Sequence, residues 1–161
     1  MREIGDAAFY ECYGLITVTI PDSVKKIGKE AFYDCRRLRK VTIGNNVREI
    51  GNSAFYVCYA LKSVTIPDGV KSIGDFAFGG CFDLKSVIIP SSVKSIGGSA
   101  FEYCDGLEDV YCYAKSVPAT EGWEFAGTPI SSATLHVPSA SLNKYKSRYP
   151  WKQFGTIKAI K

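Results

Sequence analysis

The chain is poor in the side chains that catalysis and metal binding require. It contains a single histidine, His136, in 161 residues. An enzyme needs proton-exchanging or nucleophilic groups placed close together. The sequence has no glycine-rich phosphate loop, no serine nucleophile elbow and no metalloprotease motif. We therefore expect no enzymatic activity and no cofactor.

Other classes of protein are also excluded by what is missing. No run of about 18 apolar residues is present, so we expect no membrane insertion. The formal net charge is only +4 and is dispersed along the chain, which argues against a nucleic-acid partner. Because 46% of the residues are hydrophobic, the chain has enough material for a continuous core in one domain. We expect a monomer.

The six cysteines lack the spacing of a metal site. There is no Cys-x-x-Cys pair and no Cys/His cluster, so zinc ligation is not expected. Five cysteines instead share one sequence register inside apolar segments, which favours a column of buried thiols over disulfides, the less favoured alternative. These five are Cys12, Cys35, Cys58, Cys81 and Cys104.

What the chain has in abundance is one segment repeated every 23 residues. Each copy begins with an Ile-Gly pair and continues with Ala-Phe, Cys, Leu and Val at fixed positions. A unit of this length cannot bury its own apolar face, so successive units must stack. The pairs are Ile4-Gly5, Ile27-Gly28, Ile50-Gly51, Ile73-Gly74 and Ile96-Gly97.

Within one copy, residues 38–43 carry the strand signature of a leucine-rich repeat. Val41 points into the core and Thr42 points outward, because side chains alternate along a strand. A turn follows, then a second short extended piece at 47–50, and then a glycine that permits a bend.

The back of each coil carries apolar residues three positions apart. Phe32, Cys35 and Leu38 have this spacing, which predicts a single helical or 3-10 turn.

This pattern resembles the BspA-like (Treponema pallidum type) leucine-rich repeats, whose unit has Ile-Gly, Ala-Phe, Cys, Leu, Val and Ile-Pro at this period. The match covers residues 2 to about 113. It implies a right-handed leucine-rich-repeat solenoid of the α/β horseshoe class, with a curved parallel sheet. It also implies cell-surface or secreted display and adhesion to a host or matrix protein or to other cells.

The predicted domains are 1–113, with five repeats of which the first is incomplete, and 114–161, with an irregular last repeat and a C-terminal cap. A short helix is expected near 141–149, with Ser141 as its N-cap. Trp151 and Phe154 should close the last coil, as in the terminal unit of Bacteroides-type relatives. Because the chain begins inside a repeat, we expect further native sequence upstream.

Two surfaces are candidate binding sites. The first is the C-terminal end of the concave strand face, formed by Ile88, Asp109, Tyr111, Tyr113 and His136. His136 aligns with Tyr111 and should be solvated, whereas Cys112 should face the core, so a Cys/His dyad is not expected.

The second surface is basic. One fixed position of the repeat is always occupied by Lys or Arg. Such a column either indicates an anionic partner or contributes to solubility alone. This basic column comprises Arg2, Lys25, Arg48, Lys71 and Lys94, continued by Lys115 in a looser register.

A further, aromatic column follows the Phe and Cys positions and either stacks on sugars or covers the coil edges. It comprises Tyr10, Tyr33, Tyr56, Tyr13, Tyr59 and Phe82. The sequence thus predicts a non-enzymatic binding and adhesion scaffold. A glycan-binding module and a structural spacer are the alternatives.

Overall fold

The computed structural model describes residues 1–160, which form a solenoid of parallel strands. Each 23-residue copy contributes one short strand to each of two sides of the coil, and most strands pair in parallel with the same strand of the next copy. The strands on one side, which we together call sheet 1, are β2 (Thr17–Thr19), β4 (Lys40–Thr42), β6 (Ser63–Thr65), β8 (Ser86–Ile89), β10 (Asp109–Cys112), β11 (Thr134–Val137) and β12 (Thr156–Ala159). Within it, β2 pairs with β4, and β6 begins a separate five-stranded ladder that ends with β12. Sheet 2 contains β1 (Glu3–Ile4), β3 (Lys26–Ile27), β5 (Glu49–Ile50), β7 (Ser72–Ile73) and β9 (Ser95–Ile96). The predicted solenoid, including the second extended piece, is confirmed.

The core is built from columns of identical side chains. Phe32, Phe55 and Phe78 are fully buried, and their rings stack face to face with centroids 5.2 and 5.3 Å apart. The stack runs from Phe9 to Phe125. Trp151 and Phe154 then meet Phe125 edge-on and end it, so the predicted lid is confirmed.

The back of each repeat consists of consecutive turns. The predicted single turn is present, closed for example by the bond from the Leu38 N–H to the Cys35 carbonyl at 3.0 Å, but the turns do not continue into a helix. Glu30 and Asp34 have φ values of 56°, in the left-handed region. Their N–H groups donate to the next coil, to the carbonyls of Asn52 at 2.9 Å and Tyr56 at 2.8 Å. A helix would use these donors internally, whereas the turns aim them along the solenoid and bond neighbouring coils.

Among residues 1–160, helices are confined to the C-terminal unit. They are three short 3-10 helices, Ile130–Ser132, Ser139–Ser141 and Trp151–Gln153, and α1 (Leu142–Ser147). The predicted short helix is confirmed, but Ser141 does not cap it with its side chain, because its hydroxyl donates to the Lys115 carbonyl at 2.7 Å. The division of the chain after residue 113 stays a prediction.

The glycine column is explained by close packing of the backbone. A Cβ atom on Gly51 would lie 2.7 Å from the carbonyl carbon of Gly28 in the preceding coil. Real Cβ atoms do not approach so closely, so a side chain here would push the coils apart. The glycine therefore sets the spacing between coils, where the sequence suggested a bend.

Candidate functional site

The outward side of sheet 1, predicted as the concave face, changes in character along the solenoid. Its central row has threonine in the first three coils, followed by larger side chains. In strand register, Ile88 lies beside Tyr111, Tyr111 beside His136, and His136 beside Lys158. The predicted alignment of Tyr111 with His136 is confirmed.

His136 is buried against its neighbours. Its imidazole stacks on the Tyr111 ring, with the centroids 4.1 Å apart and the planes within 8°. Its Nε2 lies 2.7 Å from Oδ1 of Asp109. Only 9% of the residue is exposed, so the prediction of a solvated His136 is wrong. The reason is that β10 supplies both a ring face and a carboxylate to one side chain of β11, which fixes the imidazole in place.

The expected absence of a Cys/His dyad agrees with this geometry. Cys112 points into the core, where its Sγ lies 3.3 Å from the hydroxyl of Tyr145. Burial raises the pKa of the Cys112 thiol. Within residues 1–160, no serine, threonine or cysteine side chain shares a hydrogen bond with His136. The cluster of Asp109, Tyr111 and His136 is therefore a rigid surface element without a neighbouring nucleophile.

A groove of about 720 Å³ borders this row on the side where the strands end. Ile88 and Tyr113 line it, together with Pro67, Pro90 and Pro138 from the turns of three coils. Tyr113 is 41% exposed. The structure thus joins the predicted residues into one continuous surface: Asp109, Tyr111 and His136 lie on the sheet, and Ile88 connects them to the groove. We call this surface the sheet-1 site.

The basic column lies elsewhere. Lys25, Lys71 and Lys94 are exposed next to the strands of sheet 2, and their backbones are hydrogen-bonded from coil to coil. Arg48 turns back, and its guanidinium donates to the carbonyls of Asn45 and Val47 at 3.1 and 3.3 Å. The basic column is thus interrupted at its centre.

Lys115 does not extend the basic column. Ala119 instead pairs with Ser95 at the edge of sheet 2. Lys115 lines the 720 Å³ groove beside Tyr113. The structure therefore separates the basic column from the sheet-1 site and moves one lysine from the former to the latter.

The aromatic column is largely occupied by contacts within itself. Tyr10 and Tyr33 stack with centroids 4.8 Å apart. Arg36 lies between the rings of Tyr13 and Tyr59, 5.2 and 5.8 Å from their centroids. Because the ring faces already contact neighbouring side chains, these contacts favour covering of the coil edges over stacking on sugars.

The predicted column of buried thiols is confirmed, and each thiol has a specific partner. Cys35, Cys58, Cys81 and Cys104 are fully buried and unpaired by disulfides. Each donates to the carbonyl of a phenylalanine 26 residues earlier, at 3.2 to 3.3 Å. Burial raises the pKa of Cys35 to about 11 and of Cys104 to about 12, which keeps the thiols protonated and able to donate.

Three exposed aromatic residues escaped the sequence reasoning. Tyr103, Trp123 and Tyr149 are 54%, 60% and 53% exposed. They lie outside the 23-residue register or at variable positions within it. The sequence feature that could have pointed to Trp123 is the pair of glycines around it, Gly122 and Gly127, which indicates a loop.

The described part of the chain has neither a cluster of metal-binding side chains nor a membrane-spanning helix. No group of three or more His, Cys, Asp or Glu side chains in residues 1–160 could hold a metal ion. Among the same residues, every helix falls short of the length and apolar character needed to cross a membrane.

Stacked 23-residue coils with parallel strands and a repeated leucine-containing pattern are typical of leucine-rich repeat proteins. The family model for the BspA type leucine rich repeat region matches residues 2–131 in six copies, and the chain belongs to this family. No curated protein matches the chain.

Solved structures share the fold. A T. pallidum leucine-rich repeat protein is 27% identical over 99% of this chain and 62% of its own, with a TM-score of 0.69. A leucine-rich repeat protein from Bacteroides capillosus is 39% identical over 54% of this chain and 62% of its own, with a TM-score of 0.50. The pneumococcal vaccine antigen PcpA is 23% identical over 100% of this chain and 39% of its own, with a TM-score of 0.83. The chain thus spans less than two thirds of each of these proteins.

Proposed function

We propose that this chain is a non-catalytic binding module that holds a protein partner, such as a host or matrix protein, at the sheet-1 site. One observation carries the proposal. The outward face of sheet 1 is lined by serine, threonine and lysine at its start, and its central row then carries the larger side chains of Ile88, Tyr111 and His136 next to a groove of about 720 Å³.

The chemistry of this site suits a protein surface. Tyrosine and aliphatic side chains around a groove are typical anchors of protein interfaces, and a rim of charged groups adds orientation. Tyr113 supplies an exposed ring, and Lys115 and Asp68 lie at the edge of the same groove. The hydrogen bond and the stacking contact that fix His136 reduce the side-chain entropy lost on binding.

The test is the binding of this chain to immobilised extracellular-matrix proteins. Ile88→Asp and Tyr113→Ala should each weaken binding about tenfold or more, because each removes an apolar anchor. The matched control reverses charge at Lys25, Lys71 and Lys94 and should leave binding unchanged. Loss of binding in the control alone would favour an anionic glycan or acidic protein on the basic column. No binding to any matrix protein would favour a spacer.

We also infer display at the cell surface or secretion, an expectation that rests on the family resemblance. The test is to treat intact producing cells with protease and to detect the protein by antibody. Loss of the protein from cells, or its presence in the medium, supports the inference. Full protection until the cells are lysed contradicts it.

A further inference from the structure

We propose that Tyr103, Trp123 and Tyr149 form a binding site for a neutral saccharide, separate from the sheet-1 site. The three rings surround the loop that carries Gly122 and Gly127, beside the C-terminal unit. A groove of about 300 Å³ lies there, and both Trp123 and Tyr149 line it. We call this the aromatic-loop site.

Each ring packs against a glycine. The indole of Trp123 lies against Gly98, and a Cβ atom there would be 3.0 Å from its Nε1. The ring of Tyr149 lies against Gly122, where its Cε1 would be 3.2 Å from an added Cβ atom. The ring of Tyr103 lies across Gly127, where its Cδ1 and Cε1 would both be 2.5 Å from an added Cβ atom. Each ring therefore packs on the backbone at one glycine, while more than half of each residue stays exposed to a ligand.

The loop itself is locked by a buried carboxylate. Glu124 is 0% exposed, and its side chain accepts hydrogen bonds from the backbone N–H of Glu121 and of Gly122, the latter at 3.0 Å. Gly122 and Gly127 have φ values of 110° and 69°, which side chains rarely adopt. This conformation holds Trp123 outward while Phe125 enters the core.

The lining of the groove favours an uncharged ligand. None of its ten residues carries a charge, and Gln153 contributes an amide that can both donate and accept hydrogen bonds. The face of a pyranose ring presents weakly positive C–H groups, which stack on the negative face of an aromatic ring, while its hydroxyls bond to amides. Aromatic faces, one amide and no charge are a combination that suits a neutral sugar.

A proline-rich peptide is the other ligand that aromatic grooves commonly take. Such peptides need an indole N–H or similar donor that points into the groove toward a peptide carbonyl. In this structure Nε1 and Cδ1 are the Trp123 atoms nearest to Gly98, so the donor edge of the indole is turned toward the protein. The exposed part of Trp123 is suited to stacking, which favours the saccharide.

The chain carries its own reporter for the test. It has two tryptophans, of which Trp151 is fully buried and Trp123 is 60% exposed. Titration with cellohexaose, maltohexaose, mannohexaose and laminarihexaose should, for at least one of them, shift the Trp123 emission to shorter wavelength and protect it from acrylamide. Absence of a saturable response to all four overturns the proposal.

Variants connect the response to the site. Tyr149→Ala should weaken binding about tenfold, a typical loss for one stacking ring, and Trp123→Ala should abolish binding measured by calorimetry. Tyr13→Ala, which removes an exposed ring of the aromatic column, should leave the affinity unchanged. Equal losses in Tyr13→Ala and Tyr149→Ala would overturn the proposal, as would decaproline binding at the same residues with no sugar binding. Thermal unfolding of each variant confirms that it folds.

Discussion

The hydroxyl of Thr128 donates a hydrogen bond to the carbonyl of Phe101 at 2.5 Å. In the four preceding coils this position belongs to a cysteine, whose thiol donates to the equivalent phenylalanine carbonyl. The same hydroxyl accepts from the N–H of Cys104 at 3.0 Å. This position of the repeat therefore requires a small buried hydrogen-bond donor, and the chain supplies either a thiol or a hydroxyl group.

Replacing Cys81 tests this requirement. Cys81→Ala should lower the free energy of unfolding by about 1–3 kcal/mol, because it leaves a cavity and removes one of the two hydrogen bonds to the Phe55 carbonyl, which keeps the Cys58 N–H at 3.4 Å. Cys81→Ser keeps a donor and should cost less. Urea unfolding followed by circular dichroism measures both values. Equal losses would show that the thiol acts only by filling space.

Stability should fall at alkaline pH. Burial raises the pKa of Cys35 to about 11 and of Cys104 to about 12, above the ordinary value of 9.0 that applies in the unfolded chain. The unfolded state therefore loses these protons first, so stability is fully present below pH 9 and declines as the pH rises from about 9 to 12.

The check is the urea midpoint between pH 7 and 11, together with thiol labelling at pH 9. Cys12, the one partly exposed cysteine of the column, should react first. Rapid labelling of all six thiols in the folded chain would contradict the expectation.

The phenylalanine stack should contribute unequally along its length. Phe55 is fully buried between two rings, so Phe55→Ala should cost about 3–5 kcal/mol. Phe9 is 42% exposed with one ring neighbour, and Phe9→Ala should cost less than half as much. Thermal and urea unfolding of the two variants, side by side, measure the difference.

The glycine column offers a matched pair. Gly51→Ala places a Cβ atom 2.7 Å from the backbone of the preceding coil and should destabilise by about 1–3 kcal/mol. Gly5→Ala meets no atom within 4 Å and should change stability by less than about 0.5 kcal/mol. If both substitutions were neutral in urea unfolding, coil spacing would not depend on the glycine.

The periodic parts of the structure followed from the sequence, and the exceptions have physical causes. Strand alternation placed Cys112 inward and set Tyr111 beside His136, because each depends only on local pattern and register. The burial of His136 depends on Asp109, which lies diagonally across the strand pair, so no local pattern showed it.

The left-handed backbone conformation at the back and the aromatic-loop site escaped prediction. Left-handed φ at Glu30 and Asp34 has no residue signature, since neither is glycine; it follows from hydrogen bonds to another coil. Trp123 lies in the sixth copy of the repeat, two residues before Phe125, at a position where the preceding copies carry different residues, so no repeated pattern marked it.

The strands stay paired although the number of residues that separates paired positions along the chain changes from coil to coil. Asp109 pairs with Ser86, 23 residues earlier, but Thr134 pairs with Asp109 across 25 residues, and Thr156 with Thr134 across 22. The difference is absorbed in the loops, so insertions and deletions there leave the ladder intact. Trp123 lies within the longest of these intervals. Within this chain, a coil can therefore carry a longer loop, and with it a different surface, while its strand keeps its place in the ladder.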